Sequence, residues 1–238
     1  MPNASGSFKT RFRRHAFGWK SQPAIERVRQ AVTEITQVAR SEPIEAAEGA
    51  VTFIERLSPA LENVDSSSGA IGTAVNNAIA ELVPIIAGAP ADETTRAAWL
   101  ERLFDAHGAD QIPYIERLSD YWGELCGSTG LASAWADRLI GVTRMALSPD
   151  KDVRGYFHGT SACLSSLLAA ARYQEILELV QENTFWPYKR WAVKALVAQR
   201  RPADALLCRE LSQPLGERRC HRCVCEQILL STGDIDDA

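Results

Sequence analysis

Leu167-Leu168-Ala169-Ala170-Ala171-Arg172-Tyr173-Gln174-Glu175-Ile176-Leu177 returns 29 residues later as Leu196-Val197-Ala198-Gln199-Arg200-Arg201-Pro202-Ala203-Asp204-Ala205-Leu206. Apolar, small, turn and acidic positions agree down the two lines. Each copy reads as the end of one helix, a short turn and the start of a second. A helical hairpin of this length cannot bury its apolar face alone, so it calls for stacked neighbours. The stretch therefore predicts an all-α chain, folded as a right-handed α-α superhelix (a solenoid) of antiparallel helical hairpins.

The repeat has a recognisable pattern. Small residues close the first helix, Tyr173 sits at the turn, and Glu175-Ile176-Leu177 open the second helix. This resembles the tetratricopeptide family, in which a tyrosine marks the turn and an acidic, small and apolar run begins the second helix. The second copy keeps Asp204-Ala205-Leu206 and places Pro202 where the tyrosine would be. A partial third copy is readable near Gly233-Asp234-Ile235, 33 residues beyond Arg200-Arg201-Pro202. The resemblance implies a chain that presents a concave groove to a protein or peptide ligand.

Upstream, helix signals follow one another with almost no strand signal. Apolar residues at helical spacing predict helices over Pro23–Ala39, from Pro43 to Leu61, and from Ser67 to Ile86. Pro59 and Pro84 are expected to bend or shorten the second and third of these. Ser21 is a candidate N-cap for the first, and Asp92 and Asp110 for two further helices around Trp99–Phe104 and Ile112–Leu125. A sixth carries Leu131, Trp135, Leu139 and Val142. The C-terminal part adds Phe157–Ala171, Gln174–Glu182, Phe185–Gln199, Ala203–Leu211 and Glu217–Ser231. Starts at Pro23, Ser67 and Gln111 recur every 44 residues, which resembles the hairpin period of HEAT-like repeats. The expected organisation is a basic, aromatic arm over 1–22, HEAT-like hairpins over 23–150 and tetratricopeptide-like hairpins over 151–238.

A pentad supports the hairpin reading: Phe53-Ile54-Glu55-Arg56-Leu57, Trp99-Leu100-Glu101-Arg102-Leu103, Tyr114-Ile115-Glu116-Arg117-Leu118 and Trp135-Ala136-Asp137-Arg138-Leu139. Its aromatic and its leucine are four apart, so they share one helix face and can bury together. The acid and arginine fall beside that face, where an arginine stem covers apolar surface while its head stays wet. The alternative is that these arginines line a concave binding surface.

Apolar content of 46% and charged content of 24% suit a globular fold. No apolar run is expected to reach the length of a bilayer span, and no apolar leader is evident at the N-terminus. Six unevenly spread cysteines do not make a small disulfide scaffold, so a reducing cytoplasm is the expected compartment. The net charge is −4, yet residues 1–25 hold Lys9, Arg11, Arg13, Arg14 and Lys20 with no acid, which leaves −9 for the remainder. Phe8, Phe12, Phe17 and Trp19 interleave with those cations. Three readings fit: an arm that docks its rings and leaves its charges in water, a contact for nucleic acid or another acidic partner, or a targeting segment.

Few constellations suggest chemistry. Cys220-His221-Arg222-Cys223-Val224-Cys225 offers soft ligands at C-x-x-C spacing, but no second knuckle follows, so no metal is expected. Cys225, Ala192 and Cys163 share one repeat column, and that column calls for a small buried residue. His158 and Cys163 are five apart at a helix start and should not face each other as a base and a nucleophile. Asp65-Ser66-Ser67-Ser68-Gly69 is a capped turn without the glycine and lysine spacing of a phosphate-binding loop. Asn76 and Asn77 interrupt an apolar helix, and amides there can pair internally or hold a peptide backbone. Phe185-Trp186-Pro187-Tyr188-Lys189-Arg190-Trp191 is the densest aromatic patch, and on a helix its rings cannot all point inward.

The expected function is a non-catalytic, protein- or peptide-binding adaptor that uses Trp186, Tyr188, Lys189, Arg190, Asn76 and Asn77, with no cofactor, metal or membrane partner. The alternative is a HEAT-like nucleic-acid binder working through the basic arm. HEAT-like DNA glycosylases are comparable in size, but no residue motif of theirs is matched.

Overall fold

A computed structural model describes residues 4–150 and 152–210. Among them are eleven α-helices, one 3₁₀ helix and no strand. The chain divides into two compact units, Met1–Leu131 and one that begins at Ala132. The change of repeat pattern expected at 150 falls inside the second. The expected helix Glu217–Ser231, the partial third repeat and the Cys220–Cys225 cluster lie outside the described residues.

In the first unit, α1 (Ala4–Arg11), α2 (Ser21–Ala39), α3 (Pro43–Leu61), α4 (Ala70–Gly88) and α5 (Glu93–Gly108) precede a 3₁₀ helix (Glu116–Tyr121) and the short α6 (Trp122–Cys126). The centre is α3. Its buried set includes Ala47, Ala50, Val51, Phe53, Ile54 and Leu57, so it is apolar on almost every side. Only a helix enclosed by others can be built this way. It packs against α1, α2, α4 and α5, while α2 also packs on α4. Pro59 and Pro84 stand inside α3 and α4 without ending either helix.

Helix α4 has the length of a bilayer span, with mean hydropathy 1.4 over its most apolar window. This corrects the expectation that no such stretch exists. Its Ile71, Val75, Ile79, Leu82 and Ile86 are buried, and its neighbours are α2, α3 and α6.

Two helix starts differ from expectation. Ser21 does not cap α2: Lys20 holds that position without a side-chain cap. The Ile112–Leu125 helix is replaced by the 3₁₀ turn and α6. Pro113 lacks the N–H a helix needs and steers Ile112 out of helical backbone. Asp110 then accepts from the Ile115 N–H at 2.7 Å, and its other oxygen takes the Ser58 hydroxyl. The 44-residue recurrence is accordingly not kept: α2 and α4 begin at 21 and 70. Asp92 does cap α5, accepting from the Thr95 N–H at 2.7 Å.

Three pentads pack as helical spacing requires, and the fourth buries Tyr114 ahead of the 3₁₀ helix and Leu118 within it. Phe53, Leu57, Trp99, Leu103, Tyr114, Leu118, Trp135 and Leu139 are all buried. Their polar members tie helices together. Arg102 of α5 donates to Glu48 (2.7 Å), Glu55 (2.9 Å) and the Thr52 hydroxyl (2.9 Å) on α3, and the Trp99 indole donates to Glu48 at 2.7 Å. Arg96 is buried and donates to three carbonyls at helix ends, Ile86, Ala89 and Leu125.

The second unit holds most of α7 (Thr129–Ala146) and two hairpins, α8 (Thr160–Ala169) with α9 (Tyr173–Leu179) and α10 (Trp186–Ala198) with α11 (Pro202–Glu210). Within each hairpin the helices pack together. Between hairpins α10 packs on both α8 and α9. The written repeat is a structural one. Arg172 N–H bonds Leu167 C=O and Ala171 N–H bonds Leu168 C=O; in the second copy, Arg201 N–H bonds Leu196 C=O and Arg200 N–H bonds Val197 C=O. This is the same left-handed helix end made twice. Arg172–Glu175 (2.6 Å) and Arg201–Asp204 (2.7 Å) then pair at the same repeat positions. The small-residue column is buried at Cys163 and Ala192.

Candidate functional site

The aromatic patch divides its labour. Trp191 is buried, and Trp186 packs on a core of Val193, Leu196 and Ala205. Lys189 Nζ donates to the Val180 and Gln181 carbonyls at 3.1 and 2.9 Å. A cation there satisfies acceptors left open just past the C-terminus of α9. Arg190 Nε donates to the Pro187 carbonyl at 2.9 Å, and its guanidinium lies 5.4 Å from the centre of the Trp191 ring. Both cations are thus engaged within the second unit. Tyr188 is half-buried, edge-on to Phe185 with ring centres 5.6 Å apart. Phe185 itself is 44% exposed.

Phe185 stands at one wall of a cleft of about 510 Å³, lined by Leu147, Ser148, Pro149, Arg154, Glu182, Asn183, Thr184 and Phe185. The cleft lies between the loop after α7 and the loop joining α9 to α10. Both loops are held by side-chain turns: Asn183 accepts from the Phe185 N–H at 2.9 Å, Ser148 from the Asp150 N–H at 3.2 Å, and Asp150 from the Asp152 N–H at 3.0 Å. Arg154 and Glu182 are exposed. Among the described residues, neither side chain has a hydrogen-bond or ion-pair partner. Asn76, half-buried, and Asn77, exposed, belong to α4 of the first unit.

The sequence reading did not single out Arg154, Glu182, Asn183 and Thr184, which line this cleft. One signal was present. Ser148 to Gly155 is the most loop-like interior stretch, and loops on a rigid scaffold are where binding residues concentrate.

The nucleophile reading of Cys163 has no support. Burial pushes its thiol up to about 11, which leaves almost no thiolate at neutral pH. Burial also lowers the His158 pKa. Among the described residues, no group of three or more His, Cys, Asp or Glu is placed to hold a metal. Asp65 forms a local turn, accepting from the Ser67 N–H at 3.0 Å.

The N-terminal arm docks by its rings. Phe8, Phe12 and Phe17 are buried, and the Phe12 ring meets Phe53 of α3 edge-on at 4.9 Å. Its charges stay at the surface: Lys9, Arg13, Arg14 and Lys20 are exposed. No protein-family model, curated protein or solved structure matches this chain.

Proposed function

We propose that the chain is a non-catalytic helical-repeat adaptor, and that its second unit takes a peptide or protein segment in the cleft beside α10. We read its hairpins as turns of an α-α superhelix, HEAT-like before residue 150 and tetratricopeptide-like after it. A cytoplasmic setting accords with Cys126, Cys163 and Cys208 standing outside any disulfide.

The observation that carries this reading is the cleft wall itself. Phe185 offers a ring that is held from behind by Tyr188 and fixed at its own N–H by Asn183. A preorganised aromatic loses little freedom on binding, so its contact area converts efficiently into affinity. Arg154 and Glu182 line the same cleft with opposite charges, which suits a segment carrying an apolar residue together with an acid and a base. The site residues are accordingly Phe185, Tyr188, Arg154 and Glu182, with Lys189 and Trp186 as their support.

Panning the full chain against a displayed random heptapeptide library tests this. Enriched peptides should share an apolar residue beside a charged one. Phe185→Ala should weaken their binding at least tenfold, as loss of an interface anchor does, without moving the melting temperature. Peptides without any common feature, or binding indifferent to Phe185, would contradict the reading.

A further inference from the structure

In the N-terminal segment, rings and charges part company. Phe8, Phe12 and Phe17 are inside, in contact with one another and with Phe53. Trp19 is the exception, 70% exposed. Its backbone is anchored. The His15 N–H bonds the Pro59 carbonyl at 3.0 Å, and the Asp65 N–H bonds the carbonyl of Trp19 at 2.9 Å, so the segment is strapped to the end of α3 at two points. Two of its cations are neutralised, Arg11 by Glu34 at 2.5 Å and Arg14 by Glu62 at 3.1 Å. Lys9, Arg13 and Lys20 have no hydrogen-bond or ion-pair partner among the described residues. Exposed Arg27 joins them, its guanidinium 5.4 Å from the centre of the Phe17 ring.

We infer that this strap is a contact surface for single-stranded nucleic acid, with Trp19 stacking on one unpaired base and Lys9, Arg13, Lys20 and Arg27 meeting the phosphates. An exposed indole on an anchored backbone, in a segment with unpaired cations, is the combination that sequence-tolerant strand binding uses. A bilayer fits less well: the three phenylalanines that would insert are already committed to the core, and one indole offers little apolar area. A duplex fits less well too, because it hides the faces of its bases. The acidic remainder of the chain confines the contact to the strap, so the footprint is a few nucleotides and the binding is weak and strongly salt-dependent.

Fluorescence anisotropy of a labelled fifteen-nucleotide oligothymidylate, titrated with the full chain between about 20 and 200 mM NaCl, tests this. About four phosphate contacts predict a slope of log K against log salt near −3. Trp19→Ala should weaken binding about tenfold at every salt concentration. Lys9→Ala with Arg13→Ala and Lys20→Ala should reduce the slope to about −1. These side chains are exposed, so melting curves of both variants should overlay that of the parent. Absence of binding at the lowest salt overturns the inference. So does binding that survives both sets of substitutions, tighter binding to a duplex of equal length, or a preference for phosphatidylserine vesicles over the oligonucleotide.

Discussion

Ala171 and Arg200, 29 residues apart, hold the same left-handed backbone at φ 56° and φ 58°. Each sits where a helix turns back on itself, with the same pair of backbone hydrogen bonds closing the end. A side chain in this region costs about 1–2 kcal/mol, and glycine is free of that cost. Ala171→Gly and Arg200→Gly should therefore each stabilise the second unit by about 0.5–1 kcal/mol, once the looser unfolded chain is allowed for. Thermal melts check this. A loss of stability from both would show that the two turns are not the matched helix ends described above.

Gly69 and Gly127 form a controlled pair. Both have positive φ, 71° and 67°. A Cβ on Gly69 would meet nothing within 4 Å, whereas one on Gly127 would lie 2.9 Å from the Arg96 guanidinium carbon. Gly69→Ala should cost only the backbone strain, about 1 kcal/mol. Gly127→Ala should cost about 2–4 kcal/mol, because it also displaces a buried cation from three carbonyls. Urea unfolding of both variants gives the comparison, and equal costs would remove Arg96 from the account of how α4, α5 and α6 are joined.

The Glu48–Arg102 link predicts a pH dependence. Burial alone would raise the Glu48 carboxyl, but hydrogen bonds from Arg102 and Trp99 outweigh it and hold the group below the usual glutamate range. A depressed carboxyl stabilises the fold above its unfolded value, and that contribution is lost as pH falls through the folded one. Acid titration of stability should therefore show a loss below about pH 4.5, the ordinary glutamate value. Arg102→Met should remove about 1–2 kcal/mol at pH 7, given that the pair is partly solvated, and should flatten that acid limb.

The helical class, the burial of the three helical pentads and the 29-residue repeat were legible because each rests on local periodicity, which folding preserves. Ile112–Leu125 was misread because Pro113 and the Asp110 carboxylate outweigh the apolar spacing. That Lys189 bonds the Val180 and Gln181 carbonyls was not legible, because its cationic charge gives no hint of acceptors eight and nine positions away. The cleft was not legible at all, since Arg154 and Phe185 are 31 positions apart and only the fold brings their two loops to one cleft. The arm was legible in composition, while which of its rings would remain outside was decided by contacts with Phe53.

The central claim is that the cleft beside α10 reads a segment by charge as well as by its apolar residue. Reversing the charges tests it most directly. Peptides selected on the parent chain should be measured against Arg154→Glu combined with Glu182→Arg, alongside the same peptides with their acidic and basic residues exchanged. The account predicts that the variant prefers the exchanged peptides by about tenfold while the parent prefers the originals, with melting curves unchanged, as expected when like charges replace complementary ones at an interface. Equal preference of both proteins for the original peptides would contradict it.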